Sequence, residues 1–169
     1  MNHHTVIIGG TKGAGRELAR LLLKQGRTVS VVARSPVAED DQHWLGDSFF
    51  SADVTNPADI DSVFKSIVQK HGPIHSLAFF QHYKGNDQQW ENQFAVSLTA
   101  TKNTIERALE AFAPAEPGFI VLVGSIAGEF VSSTQGAGYH VAKAGLNQLM
   151  RYYATILGPR GIRVNGVSP

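Results

Sequence analysis

The sequence predicts an α/β domain in which a parallel β-sheet carries helices on both faces. Two observations lead to this fold class. Short apolar runs rich in β-branched residues alternate with longer amphipathic stretches along the whole chain, and glycine or proline marks most of the boundaries. Because strands and helices alternate without interruption, successive strands are expected to lie parallel, each joined to the next by a helix that crosses one face of the sheet.

Six strands and four helices are predicted in order. The strands are apolar runs at residues 5–8, 28–33, 47–52, 74–80, 118–123 and 162–167. The helices are predicted at residues 16–24, from 57 to near 72, 88–112 and 138–157. Gly26 is expected to end the first helix, Thr55 or Asn56 to cap the second, and Gly158-Pro159 to end the last. The stretch at residues 35–46 is predicted to be a polar surface loop.

The composition indicates one domain that spans residues 1–169. Hydrophobic residues make up 43% and charged residues 17%, an ordinary globular mixture. A net charge of +1 without a long basic run argues against nucleic-acid and membrane-surface binding. There is no cysteine, and no His/Asp/Glu set has the spacing of metal ligands. No membrane-spanning stretch or leader is seen, so we expect a cytoplasmic protein that acts on a small molecule.

A glycine-rich turn follows the first strand and opens the first helix. It reads Gly9-Gly10-Thr11-Lys12-Gly13-Ala14-Gly15. The helix N-terminus there offers unpaired N–H groups to a pyrophosphate, and the glycines let the backbone approach the ligand. A plain strand-to-helix turn is the alternative, but the position after the first strand favours a dinucleotide site. We therefore expect cofactor contacts from Gly9, Thr11, Lys12, Gly13 and Ala14.

The second strand ends in an arginine. An acidic residue near this point suits the ribose 2′-hydroxyl of NAD(H), whereas a cation suits the 2′-phosphate of NADP(H). Here the chain has Arg34, with Lys12 close by in the glycine turn. These two cations favour NADP(H), unless both are merely solvated surface residues.

A tyrosine and a lysine lie one helical turn apart in the last helix. Tyr139 and Lys143 share a helix face, and Ser125 follows the fifth strand shortly before them. An ammonium group stabilises a neighbouring phenolate, which makes a tyrosine a better proton donor and acceptor near neutral pH. A serine hydroxyl nearby can hold a carbonyl oxygen. An isolated Tyr-x-x-x-Lys pair is usually an ordinary surface pair, so this interpretation depends on the rest of the chain.

These motifs, in this order, resemble the short-chain dehydrogenase/reductase family over nearly all of the chain. The glycine turn is similar to the family's turn, and residues 159–169 are similar to its stretch before the nicotinamide-binding Pro-Gly. Asp53-Val54 looks like the family's aspartate after strand three, which meets the adenine ring. Ser125, Tyr139 and Lys143 fall on the family's active-site residues.

The resemblance implies a Rossmann-type doubly wound sheet whose usual C-terminal strand and helix are missing after Pro169. It also implies an NADP(H)-dependent reduction of a ketone or aldehyde, or the reverse reaction. In that chemistry Tyr139 donates a proton, Lys143 favours the ionised tyrosine and holds the nicotinamide ribose, and Ser125 orients the carbonyl. A homo-oligomer, dimer or tetramer, is expected through the two long helices. The second of these offers more apolar surface than one sheet contact needs, at Leu146, Leu149, Met150, Tyr153 and Ile156.

The chain departs from the family pattern at two places. Phe79-Phe80-Gln81-His82 replaces Asn-Asn-Ala-Gly after strand four, and Ser97 stands at the catalytic asparagine, where we assign it a relay role. His82 touches substrate or cofactor in one interpretation and is a solvated loop residue in the other. Trp90 and Phe94 are assigned to the core. The departures leave a second function open, a catalytically weak NADP(H)-binding sensor or partner subunit.

Overall fold

The computed structural model describes residues 3–35, 44–85 and 90–169. Six parallel strands form one sheet in the order β3-β2-β1-β4-β5-β6. The strands are β1 (His4–Ile8), β2 (Thr28–Ala33), β3 (Phe49–Ser51), β4 (Ser76–Phe79), β5 (Gly118–Val123) and β6 (Ile162–Val167). The helices are α1 (Gly13–Lys24), α2 (Pro57–His71), α3 (Trp90–Phe94), α4 (Ala100–Ala108) and α5 (Ala137–Leu157). This is the predicted Rossmann-type sheet, and its strand order reverses between β1 and β4.

Two hydrophobic clusters, one on each face of the sheet, confirm the prediction of helices on both sides. Alternate residues of a strand point to opposite faces. Val6 and Ile8 of β1 therefore join the larger cluster, which α2, α4 and α5 cover. Ile7 joins the smaller cluster with Ala19 of α1.

Several predicted boundaries shift for local reasons. β3 begins at Phe49 rather than at residue 47, because Gly46, with a φ of +46°, opens a 3₁₀ turn over residues 46–48. β4 begins at Ser76, since Ile74 forms only an isolated bridge. α1 begins at Gly13 rather than at residue 16. The last three residues of the glycine-rich turn, 13–15, therefore belong to the first turn of the helix. The predicted loop at 35–46 lies largely outside the described residues, as do residues 88 and 89 of the third predicted helix.

The third predicted helix is interrupted by a π turn. It runs as α3, then five π-helical residues at Ala95–Thr99, then α4, and ends in a 3₁₀ turn at Leu109–Ala111. The core assignment of Trp90 is wrong: its side chain is 46% exposed and stacks on the half-buried Phe94, with ring centroids 4.6 Å apart. A π turn changes the helical phase by about one residue, which carries Trp90 out of the core-facing stripe.

α5 packs one face on the sheet and leaves another uncovered. Leu146, Tyr153 and Leu157 are buried against β5 and β6, whereas Tyr152 and Ile156 are about half exposed. The helix continues past Gly158-Pro159 as a 3₁₀ turn, and Gly161, with a φ of +76°, ends it one turn later than predicted. Within the described residues, no helix is both long and apolar enough to cross a bilayer.

A buried histidine at the start of β1 contacts β2 and the residue that follows the carboxyl end of α2. His4 is 1% exposed, and its Nε2 lies 2.9 Å from Ser30 Oγ while its Nδ1 lies 3.1 Å from the Gly72 carbonyl. Burial lowers the pKa of His4, and the charges of His71 and His75 act in the same direction against the two backbone hydrogen bonds. The fold therefore holds this ring neutral.

We expect the protein to lose stability in mild acid through His4. The folded protein resists protonation of this ring, whereas the unfolded chain takes up the proton as the pH falls through about 6.5. The stabilisation is thus complete above that pH and is lost below it. The melting temperature should fall between about pH 7.5 and about pH 5.5, and His4→Gln should flatten this fall. His3→Gln, at a half-exposed neighbour, is the control; an equally steep fall in both variants would contradict the assignment.

Candidate active site

A cavity of about 390 Å³ opens at the carboxyl ends of the strands, where the strand order reverses between β1 and β4. Parallel sheets present their ligand sites at such a point. The glycine turn, the end of β2 and the segments after β3 and β4 line it. Eight residues predicted to contact a cofactor lie in this lining: Gly9, Thr11, Lys12, Gly13, Ala14, Arg34, Asp53 and Val54. Tyr139 and Lys143, predicted to contact the cofactor as well, are outside it.

The glycine turn leaves no room for side chains at two positions. A Cβ on Gly9, whose φ is +83°, would lie 2.7 Å from the backbone nitrogen of Gln81. A Cβ on Gly15 would lie 2.8 Å from the Gly9 carbonyl oxygen. The Lys12 side chain does not cap α1, so the N–H groups of its first turn remain available to a ligand at the cavity.

Among the residues that the structure describes, the charges along the cavity wall are mostly positive. Lys12, Arg34 and Lys84 line it together with one carboxylate, Asp53. Partial burial acts to raise the pKa of Asp53, but two hydrogen bonds from Thr55 and the charge of Arg34 bring it below its ordinary value. Asp53 is therefore ionised and held in place, and the cavity keeps an excess of positive charge that suits phosphate groups.

Lys143 is a buried ammonium group beside the Tyr139 ring. Its residue is 4% exposed, its Nζ donates to the Val123 carbonyl at 3.0 Å, and the same Nζ lies 5.6 Å from the centroid of the Tyr139 ring. Burial lowers the pKa of Lys143. An ammonium has three donors, so this geometry leaves two for other acceptors at the end of β5.

Ser125 lies two residues after the end of β5 and opens a short turn. Its Oγ accepts a hydrogen bond from the Ala127 N–H at 3.2 Å, which leaves the hydroxyl hydrogen free to be donated. The turn lies close against α5, since a Cβ on Gly128 would be 2.9 Å from the Lys143 carbonyl oxygen. The turn that begins at Ser125 therefore packs on the helix that carries Tyr139 and Lys143.

His140 holds the loop in front of α5. The Ser132 N–H donates to its Nε2 at 2.9 Å, and its Nδ1 lies 3.0 Å from the Gly136 carbonyl oxygen. Both ring nitrogens are therefore engaged if Nδ1 carries the hydrogen. His140 therefore fixes the start of the helix next to Tyr139.

Ser97 lies in the π turn below the cavity rather than in its wall. It is 1% exposed, its Oγ accepts from Gln93 Nε2 at 3.2 Å, and its carbonyl accepts from Thr101 Oγ1 at 2.8 Å. Thr101 in turn accepts from Gln81 Nε2 at 2.8 Å. A buried chain of four polar side chains therefore connects the π turn to the segment after β4, and the relay role of Ser97 stays a prediction.

Sequence reasoning missed Gln81 and Lys84 as cavity residues and left His82 open. All three line the cavity. Burial lowers the pKa of His82, and the charges of Lys84 and Lys143 add to this effect against a hydrogen bond with the Phe80 backbone. Their place immediately after a strand at the expected reversal of strand order was the available signal.

A family model described as enoyl-(acyl carrier protein) reductase matches residues 9–169. Short-chain dehydrogenase reductase 3b of Arabidopsis thaliana is 30% identical over 177 residues, covering 97% of this chain and 68% of that protein. Two crystal structures are similar at 25% sequence identity. Actinorhodin polyketide ketoreductase with NADPH has a TM-score of 0.86, covering 99% of this chain and 70% of that one. A short-chain dehydrogenase/reductase from Brucella ovis with partially ordered NAD has a TM-score of 0.84, covering 100% and 83%.

Two glycines of the turn should respond differently to substitution. Gly15→Ala places its Cβ against backbone atoms that cannot move aside, so we expect a loss of about 1–3 kcal/mol in the free energy of unfolding. Gly13 has a φ of +56° with open space around it, and asparagine tolerates that conformation. Gly13→Asn should therefore stay within about 1 kcal/mol of the parent in urea titrations. Equal losses in the two variants would contradict the close backbone approach at Gly15.

Proposed function

Because the chain belongs to the short-chain dehydrogenase/reductase family, we propose that it interconverts a ketone or aldehyde with an alcohol, using NADP(H). Members of this family are oxidoreductases that use a nicotinamide cofactor. The observation that carries the proposal is the placement of the buried Lys143 ammonium beside the Tyr139 ring, at the strand end next to a dinucleotide-type cavity.

The residues present fit a nicotinamide dinucleotide. Gly9 and Gly15 let backbone segments pack closely around the start of α1, and the first turn of α1 offers uncapped N–H groups. Gln81 Oε1 is a buried acceptor that lacks a hydrogen-bond donor among the described residues. In this proposal Lys12 and Arg34 hold phosphate groups, and Asp53 with Val54 meets the adenine end.

Side chains of the protein supply the proton that the carbonyl oxygen takes up during reduction. When bound, the nicotinamide supplies or accepts the hydride. Ser125 donates its free hydroxyl hydrogen to the carbonyl oxygen and so orients the substrate. Tyr139 donates its hydroxyl proton to the same oxygen as reduction proceeds. Lys143 stabilises the phenolate left behind and has further donors for ribose hydroxyls.

Tyr139→Phe removes only this proton. We expect it to keep the fold and the NADPH affinity and to lower turnover by about 10²–10⁴-fold, the usual contribution of general acid catalysis. NADPH oxidation with a panel of ketones and aldehydes measures turnover, and fluorescence titration measures affinity. Lys143→Met should lower both quantities, since one ammonium serves tyrosine and ribose.

The same assay distinguishes an enzyme from the alternative function, a catalytically weak NADP(H)-binding protein. Tight NADPH binding without turnover of any carbonyl by the parent would favour a sensor or partner subunit. Turnover by Tyr139→Phe at the parent rate would overturn the assignment of Tyr139 as the proton donor.

The preference for NADP(H) is supported by Arg34 and Lys12 in the cavity wall. Arg34→Asp should weaken NADPH binding by about 10–100-fold, because hydrogen bonds to charged groups contribute about 1.5–3 kcal/mol, and it should improve NADH binding. Arg27→Asp, at the exposed start of β2, makes the same charge change far from the cavity and is the control. Equal affinity of the parent for NADPH and NADH would refute this preference.

We also propose a homo-oligomer that uses the outer face of α5. Of the apolar residues expected there from the sequence, Leu146 and Tyr153 are buried and Leu149 and Met150 pack against the core, so only Ile156 faces outward. Two others join it, Val141 and Tyr152, and the three are 46–54% exposed on one side of the helix. An apolar stripe of this kind is typical of an association surface.

Light scattering should therefore give a multiple of the 18.3 kDa chain mass. Ile156→Glu should lower the mass toward that of one chain, because it places a charge in the apolar stripe. Leu21→Glu, at a residue 53% exposed on α1 on the other face of the sheet, should leave the mass unchanged. A monomeric parent would refute the proposal.

A further inference from the structure

The segment after β4 forms the part of the cavity wall that adjoins the glycine turn. Phe80, Gln81, His82 and Lys84 all line the cavity. The Phe80 N–H donates to the Ile8 carbonyl at 2.8 Å, which extends the pairing of β4 with β1 beyond the strand. The Gln81 backbone lies directly against Gly9. This wall is therefore fixed to the glycine turn by backbone contacts.

Hydrogen-bond directions fix the Gln81 amide. The Thr101 hydroxyl has one hydrogen, and it is donated to the Ser97 carbonyl at 2.8 Å. Thr101 Oγ1 can therefore only accept from Gln81, which requires Nε2 rather than Oε1 to face it, as the 2.8 Å contact has it. Gln81 Oε1 is left buried without a donor. A buried acceptor without a partner is unfavourable, so a bound donor is expected there.

Two basic side chains follow Gln81 on the same wall. His82 and Lys84 both line the cavity, and each keeps part of its side chain open to solvent. With Lys12 and Arg34 they are the basic side chains among the described residues of the lining, whose described carboxylate is Asp53. A diphosphate at the N-terminus of α1 would thus meet positive charge from this segment too.

We propose that Gln81, His82 and Lys84 form a second cofactor-binding wall beside the glycine turn, in which Gln81 Oε1 accepts a hydrogen bond from a cofactor hydroxyl and the side chains of His82 and Lys84 hold the diphosphate. The inference rests on the proposed function and deepens it. It gives a role to the residues that replace Ala-Gly after strand four.

The protonation of His82 should make the affinity of this wall for NADPH depend on pH. Partial burial opposes protonation of the ring, the charges of Lys84 and Lys143 add to this effect, and the Phe80 backbone favours protonation. Among the described residues, the other charged groups that line the cavity are Lys12, Arg34 and Asp53. Two phosphate charges beside the ring favour its protonated form, so binding takes up a proton. Affinity for NADPH should therefore rise as the pH falls from about 8 to about 6.

Fluorescence titration of NADPH into the full chain tests the wall, with the melting temperature of each variant as the check on folding. Lys84→Gln should weaken binding by about 2–5-fold at low salt, and the loss should shrink at high salt, as for a partly exposed ion pair. His82→Gln should remove most of the pH dependence. Lys65→Gln, an exposed lysine on α2 outside the cavity, should match the parent in every condition.

Gln81 needs its own control, because it also supports Thr101. Gln81→Met keeps the size of the side chain and should weaken NADPH by about 2–10-fold, the usual range for one hydrogen bond. Thr101→Val breaks the same internal contact but keeps Oε1, so it should lower the melting temperature and leave the affinity closer to that of the parent. Equal affinity losses in the two variants would overturn the Gln81 contact.

The outcomes separate this inference from the proposed function. If the parent binds NADPH while Lys84→Gln and His82→Gln bind it equally well at every pH, the wall is refuted and the proposed function stands. If the parent binds neither NADPH nor NADH, both are overturned.

Discussion

The close approach of two backbones at the ends of β1 and β4 is the constraint on which the site depends. Gly9 lies so near the Gln81 nitrogen that no side chain fits between them, and Gly15 is pressed on the Gly9 carbonyl in the same way. These contacts bring the start of α1 against the sheet where the strand order reverses. The cavity, its uncapped helix end and its two adjoining wall segments all depend on this close approach of two backbone segments.

The active-site helix is held by a second, polar constraint. A lysine inside a protein keeps its charge only if an acceptor compensates for the lost water. Lys143 finds that acceptor in the Val123 carbonyl at the end of β5, so the ammonium also ties α5 to the strand that precedes Ser125. His140 fixes the loop on the other side of Tyr139. The hydrogen bond that compensates the buried charge of Lys143 therefore also fixes the helix of Tyr139 and Lys143, two side chains of the proposed site, on the strand before Ser125.

The sequence predicted the features that depend on local pattern. All six strands and the glycine, arginine and aspartate positions of the cavity follow from runs of apolar residues and from residues placed after them. It did not predict Gln81 and Lys84 in the cavity, because their side chains face it only once β4 pairs with β1. Trp90 was misassigned for a related reason: helical spacing assumes a regular helix, and the π turn at 95–99 breaks the phase. The outward face of α5 was misjudged because Leu146 and Tyr153 are apolar and buried, which composition alone does not distinguish.

The buried polar chain beneath the cavity shows how a replaced residue changes more than its own position. Ser97 is too short to bridge far, and Gln93 reaches back from the preceding turn to satisfy its hydroxyl. Thr101 then uses its hydrogen on the Ser97 carbonyl, which in turn forces Gln81 to offer its amide nitrogen inward. Each hydrogen bond in this series determines the direction of the next one. The series ends at Gln81 Oε1, an acceptor in the cavity wall that has no donor among the described residues. The small serine in the π turn is thus linked, through hydrogen-bond direction alone, to the acceptor that we propose for a cofactor hydroxyl, Gln81 Oε1.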